Sequence, residues 1–148
     1  KGYNTDVIGF TDSIRPLLHP HHTHALILGT GGASKAVDYA LRQLGLDTSF
    51  VSRTHREGVL SYDDLTPDVL SRYTVIVNTT PLGMHPKVDE CPPLHYASLT
   101  PHHLLFDVVY NPLKTRFLQL GEQAGATICN GMDMLIGQAR AAWRIWNE

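Results

Sequence analysis

The chain has 148 residues, a formal net charge of -2 and two cysteines. That length suits one domain with a substantial buried core, and no apolar run is long enough to span a bilayer. The near-neutral charge gives no electrostatic ground for binding nucleic acid or a membrane surface.

Lys1 in place of an initiator Met suggests that the natural start lies further upstream. Asn4 or Thr5 is expected to cap a helix whose apolar positions include Val7, Ile8, Phe10 and Ile14, with Pro16 ending or restarting it. Asp6, on its own, reads as a first-turn carboxylate facing the helix dipole. His19-Pro20-His21-His22-Thr23-His24 is the densest histidine cluster. Proline interrupts it and no carboxylate stands near it in sequence, so it reads as a solvated connector rather than a metal site.

The stretch from Ala25 to Ala36 organises the rest. An apolar run, Ala25 to Leu28, ends in Gly29-Thr30-Gly31-Gly32-Ala33-Ser34, and helical spacing follows at Ala36, Val37, Ala40, Leu41 and Leu44. Strand, tight turn and helix in that order are what a phosphate-binding loop requires. Gly29 can take the turn, and Gly31 and Gly32 let a pyrophosphate approach the backbone. Ser34 stands where a third glycine is usual. Gly45 is expected to end the helix.

Thr48 to Val51 reads as a second strand, running into Ser52-Arg53-Thr54-His55-Arg56 about 20 residues past the glycines, where such folds read the adenosine ribose. A site for NAD carries an acid there to accept from the 2′-hydroxyl. Arg53 and Arg56 instead suit a 2′-phosphate, with Ser52 and Thr54 as neutral donors, and NADP is the expected cofactor. Asp63 to Leu70 suggests a turn and a short helix. Val75 to Asn78 is a buried strand whose exit, Thr79-Thr80-Pro81-Leu82-Gly83-Met84, lies where ligands of open α/β sheets bind. Cys91 sits in a proline-rich surface loop. Without a Cys-x-x-Cys spacing, it and Cys129 read as reduced thiols in a cytoplasmic protein.

Leu104 to Val109 reads as a fourth strand, followed by Tyr110-Asn111-Pro112 and a helix through Phe117, Leu118 and Leu120. Ala126 to Ile128 gives a short last strand. Met132, Leu135, Ile136, Ala139, Trp143 and Trp146 mark one apolar face of a terminal helix, with Gln138 beside it. Alternating strands and helices predict an α/β fold with a doubly wound parallel sheet. The expected divisions are a leading helix and connector over 1–24, a Rossmann-type core over 25–128 and a C-terminal helix over 129–148.

Taken together, these segments resemble the shikimate dehydrogenase family, specifically its C-terminal NADP-binding portion. The similarity is carried by Asn4-Thr5-Asp6 with Gly9-Phe10, by Gly29-Thr30-Gly31-Gly32-Ala33, by Ser52-Arg53-Thr54 and by Asn78 to Met84. Asp107-Val108-Val109-Tyr110-Asn111-Pro112 with Thr115, and Gly131-Met132 through Gln138-Ala139, extend it to the end. The resemblance implies an oxidoreductase that reduces 3-dehydroshikimate to shikimate with NADPH, on the route to chorismate and aromatic amino acids.

By that match Asp6 is the carboxylate of a Lys–Asp pair that handles the alcohol proton. Gln138 and Tyr110 contact substrate, Thr79 and Thr80 lie near the nicotinamide ribose, and Val108 and Gly131 offer backbone contacts to the nicotinamide. Ser52 stands where the family carries Asn, and Arg56 comes one place early. The family's N-terminal substrate domain, with its catalytic lysine, has no counterpart here, so the chain alone is expected to be inactive. A quinate/shikimate dehydrogenase and a non-catalytic NADPH-sensing module are the alternatives. The oligomeric state, including a homodimer, stays open. A methyltransferase would place an acid where Arg53 stands.

Overall fold

The structure, a computed structural model, describes residues 2–147; Lys1 and the side chain of Asn4, one of the two expected caps, lie outside the described residues. The first helix, α1, is Gly2–Ile14, so Thr5 falls inside it rather than at its start. Pro16 then sits in a 3-10 turn, Arg15–Leu17, as its missing N–H requires.

Six parallel strands follow with helices between them: β1 His24–Leu28, α2 Gly32–Gln43, β2 Asp47–Ser52, β3 Leu60–Ser61, α3 Pro67–Arg72, β4 Val75–Asn78, β5 Leu104–Asp107, α4 Arg116–Gln123, β6 Thr127–Cys129 and α5 Met132–Asn147. The sheet order is β3-β2-β1-β4-β5-β6, so the chain winds outward in both directions from β1 and β4. The boundaries move slightly from expectation, since His24 already belongs to β1 and Cys129 still belongs to β6.

Both faces of the sheet are covered, and side chains alternate strictly between them. Ala25, Ile27, Val75, Val77, Leu104 and Phe106 pack against Phe10 and Ile14 of α1, Val37 and Leu41 of α2 and Met134 of α5. Leu26, Leu28, Ile76 and Leu105 turn the other way, onto Leu70 of α3 and Phe117 and Leu118 of α4. No helix among the described residues is long and apolar enough to cross a membrane.

Four features of the fold depart from or add to the sequence expectations. The strand expected to reach Val109 stops at Asp107, because the Asp107 carboxylate accepts the Val109 N–H at 3.0 Å and turns the chain out of the ladder. The two-residue β3 has no periodicity to betray it.

The third concerns α5. Its expected apolar face is largely exposed: Leu135 is 39%, Ile136 40%, Trp143 66% and Trp146 88% accessible. The face against α1 is instead the one with Met134, Gly137 and Ala141. Gly9 and Gly137 meet there, where a Cβ on Gly9 would come within 2.5 Å of the Met134 carbonyl oxygen. Small residues let the two helix backbones approach, and that contact rotates the larger side chains away.

The fourth is the histidine connector, which is ordered rather than merely solvated. His22 is buried; its Nδ1 accepts from His19 N at 2.8 Å and its Nε2 donates to the His102 carbonyl at 3.0 Å. Among the described residues no group of three or more His, Cys, Asp or Glu is placed to hold a metal ion.

Candidate functional site

A cleft of about 660 Å3 opens at the carboxyl ends of β1, β2 and β4, where the strand order reverses. Open α/β sheets bind ligands at this switch point, and the volume suits a small molecule. Gly29, Thr30, Gly31, Ser52, Arg53, Thr54, Arg56, Thr79 and Thr80 line it, with Val51, Tyr62, Pro81 and Leu82.

Gly29 has φ +108°, and a Cβ on it would lie 2.7 Å from Thr79 Oγ1, so both its backbone and its neighbour require glycine. Its N–H donates to the Val51 carbonyl at 2.9 Å, while Thr79 N and Oγ1 donate to the Leu28 carbonyl at 2.9 and 2.6 Å. The three strand ends thus form one rim. Gly31 is the N-cap of α2, and a Cβ on Gly31 or Gly32 would meet nothing within 4 Å. Ser34 N donates to the Gly31 carbonyl at 3.2 Å, while the N–H groups ahead of it have no preceding helical carbonyl to meet and carry the positive end of the α2 dipole. A phosphate group fits this arrangement. Ser34, in the place of a third glycine, is buried and donates to the Gly31 carbonyl at 2.5 Å, bracing the loop. Gly32 and Ala33 form the first turn of α2 and are not among the lining residues.

At the end of β2 the chain bends around Ser52. Its hydroxyl donates to the Thr54 carbonyl at 2.9 Å and accepts the Thr54 N–H at 3.1 Å. Ser52 therefore shapes the bend that presents Arg53. Arg56 reaches across to the glycine loop, its Nη2 donating to Thr30 Oγ1 at 3.1 Å. The ion pairs among the described residues are His24–Asp47, Arg42–Asp38, His55–Asp64 and Lys114–Glu122, so neither Arg53 nor Arg56 is neutralised by one. Two guanidinium charges at one end of a cleft form an anion site. Tyr62 joins them, its phenol pushed up to about 12 by burial while the Arg53 charge works the other way. It keeps its proton and can donate. Sequence reading missed Tyr62 because it follows a strand too short to recognise.

The other predicted residues lie outside the lining of this cleft, in two groups. Val108 N donates to the Asn78 carbonyl at 3.1 Å, and Gly131 N donates to the Val109 carbonyl at 3.2 Å. A Cβ on Gly131 would fall 2.0 Å from the Val108 carbonyl oxygen, so Gly131 and Val108 lie backbone to backbone. Asn130 secures this corner by accepting from Met132 N at 2.8 Å and donating to the Leu113 carbonyl at 2.9 Å.

In the second group, Gln138 Nε2 donates to Asp6 Oδ1 across the α1–α5 contact. Burial raises the Asp6 carboxyl above its ordinary value, and the bond from Gln138 works against that. Tyr110, 42% exposed, stands in the segment after β5. Asp6 and Gln138 thus come together from opposite ends of the chain, 132 residues apart.

No family model matches the chain. It is 37% identical over 155 residues to the NADP+-dependent shikimate dehydrogenase of Clostridium beijerinckii, a match taking in 99% of this chain and 57% of that protein. The corresponding enzyme of Methanosphaera stadtmanae is 32% identical over 163 residues, covering 99% and 58%. The crystal structure of shikimate 5-dehydrogenase from Thermus thermophilus, in complex with NADP(H) and shikimate, superimposes with a TM-score of 0.80 at 29% identity, over 96% of this chain and 56% of that one. The chain therefore spans less than two thirds of these relatives and corresponds to their C-terminal part.

Proposed function

We propose, on the premise that the chain is a homologue of the C-terminal part of the shikimate dehydrogenases, that it is the NADP-binding half of such an enzyme. The complete enzyme would reversibly convert 3-dehydroshikimate to shikimate in the cytoplasm. The bound dinucleotide supplies the hydride. Gly29, Gly31 and Gly32 with Ala33 would receive its pyrophosphate at the start of α2. Arg53 and Arg56, with Ser52, Thr54 and Tyr62, would hold the adenosine 2′-phosphate. Thr79, Thr80, Val108 and Gly131 would border the second nucleotide.

Carbonyl reduction needs a proton at oxygen as hydride reaches carbon. Asp6, oriented by Gln138, is the group proposed to face that oxygen together with a lysine from an upstream domain, and Tyr110 and Gln138 would contact substrate. The same upstream domain is the proposed partner of the exposed apolar side of α5. Neither nucleic acid nor membrane is proposed.

The observation that carries this reading is the pair of un-neutralised guanidinium groups beside a glycine loop, where an NAD site would carry an acid. Titration calorimetry with NADP+ and NAD+ tests it. NADP+ should bind more tightly, by roughly 10- to 100-fold if Arg53 contributes about 1.5–3 kcal/mol of charge-assisted bonding. Arg53→Asp should remove most of that preference. Equal affinities in the unmodified chain would overturn the assignment.

A further inference from the structure

Asp107 is fully buried at the end of β5, and its carboxylate is held by three hydrogen-bond donors. Oδ1 accepts from the Asn78 amide at 3.2 Å and from Val109 N at 3.0 Å; Oδ2 accepts from the Thr115 hydroxyl at 2.6 Å. Asn78, also fully buried, passes the connection on. Its Oδ1 accepts from Thr80 N at 3.1 Å and from the Thr80 hydroxyl at 2.7 Å, and that hydroxyl in turn accepts from Leu82 N at 3.3 Å. Thr80 and Leu82 line the cleft. On its other side, Asp107 holds Val109, whose carbonyl receives Gly131 N, and Thr115, the N-cap of α4.

Burial pushes this carboxyl up to about 6 despite its three hydrogen bonds, so keeping an ionisable group here opposes stability near neutral pH. An apolar residue would fill the space without that cost, but it would leave the Val109 N–H without its carboxylate acceptor, the Asn78 amide with only its 3.4 Å contact to the Thr80 carbonyl, and the Thr115 hydroxyl without an acceptor for its proton. A dinucleotide lies across such a crevice with one nucleotide at each half of the sheet. The β1–β2 half carries the arginines. The segments tied together by Asp107 leave β4 and β5, in the other half.

We propose that Asp107 is a positioning residue for the non-adenosine end of the cofactor, fixing the segment after β4 and the segment after β5 in one relative geometry through Asn78 and Thr115. This rests on the NADP reading and adds a residue to it. Strand pairing ends at Asn78 and Asp107. Past it, Val108 N donates to the Asn78 carbonyl at 3.1 Å and His85 N to the Asn111 carbonyl at 2.9 Å. The side-chain relay adds what those two backbone bonds do not reach, the tie from Thr80 at the cleft to Val109 and Thr115.

The test compares two ligands by calorimetry on the 148-residue chain: NADP+, and adenosine 2′,5′-bisphosphate, which lacks the nicotinamide half. Asp107→Ala should weaken NADP+ at least tenfold and leave the bisphosphate within about twofold. Asp107→Asn keeps the oxygen that Asn78 and Val109 share and lets the Thr115 hydroxyl accept, so it should restore most of the NADP+ affinity. Should the Ala variant fail to fold, Asn78→Ala breaks the same relay from its far side and should show the same split. Equal weakening of both ligands, or no weakening of either, would overturn the positioning role alone. Failure of the unmodified chain to bind adenosine 2′,5′-bisphosphate would overturn the NADP reading, and the positioning role with it.

Discussion

The carboxyl-end cleft and the outer side of α5 are built from opposite materials. In the cleft, glycines, hydroxyls and guanidinium groups stand on a rim stitched by backbone hydrogen bonds, over the fully buried apolar side chains of β1 and β4. Along α5, Leu135, Ile136, Trp143, Ile145 and Trp146 are all at least 39% exposed, beside an open groove of about 1050 Å3 between α1, β6 and α5. The first region has the polar groups that a dinucleotide needs, supplied from within the chain. The second has apolar area and, one helix face away, the single contact between Asp6 and Gln138. On the proposed reading, nucleotide binding draws on this chain's own residues, whereas the chemistry also calls on a lysine from an upstream domain.

That contrast can be broken hardest at the helix crossing. Gly9→Val would drive a side chain into the Met134 carbonyl and Gln138, and overpacking at so close a contact costs about 3 kcal/mol. Urea unfolding should record that loss. An unchanged midpoint would mean that α1 and α5 do not hold each other as described.

Acid should come next, acting through groups remote from both regions. His22 and His103 each accept a backbone N–H on Nδ1 and meet a carbonyl with Nε2, so the neutral form is the one the fold uses. Burial lowers both below the ordinary histidine value, and for His22 the neighbouring His21 lowers it further. The unfolded chain then binds protons more readily than the native one, so stability is fully present above about pH 6.5 and falls as pH drops below it. Asp107 works oppositely. Raised to about 6 by burial, it binds its proton earlier in the native state and offsets part of the loss below that pH. Denaturation followed from pH 7.5 downward should lose stability less steeply in His103→Asn than in the unmodified chain. Identical profiles for the two would contradict the neutral assignment of His103.

The smallest stability change is expected on α5 itself. Trp143→Lys together with Trp146→Lys should alter the stability of this chain by no more than about 0.5 kcal/mol, because both residues are mostly exposed. They are the only tryptophans in the sequence, so tryptophan emission, excited selectively over that of the six tyrosines, reports on this surface. Emission should shift to the blue when the upstream part of a relative is joined ahead of Gly2. A spectrum unchanged by that addition would remove the proposed docking role.

Much of this was legible because local chemistry and tertiary need agree. Gly29 is demanded both by its turn and by Thr79, and Val75 to Asn78 is buried on both faces, so a continuous apolar run was enough to find it. The α5 face was misjudged because periodicity locates an apolar stripe without saying what it meets. Small residues took the contact with α1 instead. Asp107 showed in sequence as part of a strand, but its bonds to Asn78 and Thr115 span 29 and 8 residues and have no local signature. Tyr62 was hidden behind a strand of two residues. Asp6 and Gln138 stand out in the sequence only through resemblance, and no spacing rule pairs two residues that meet 132 positions apart.

The most direct test is the rate of NADP+-dependent shikimate oxidation, measured on the chain alone and on the chain with the upstream part of the Clostridium beijerinckii relative fused ahead of it. A missing acid–base partner costs about 10²–10⁴ in rate, and lost orientation can add roughly 7–11 kcal/mol. The chain alone should bind NADP+ and show no measurable turnover. The fusion should turn over, and its Asp6→Asn variant should lose rate far more than cofactor affinity. Turnover by the 148-residue chain alone at the rate of the fusion would contradict the account, because the acid–base groups would then all lie within it.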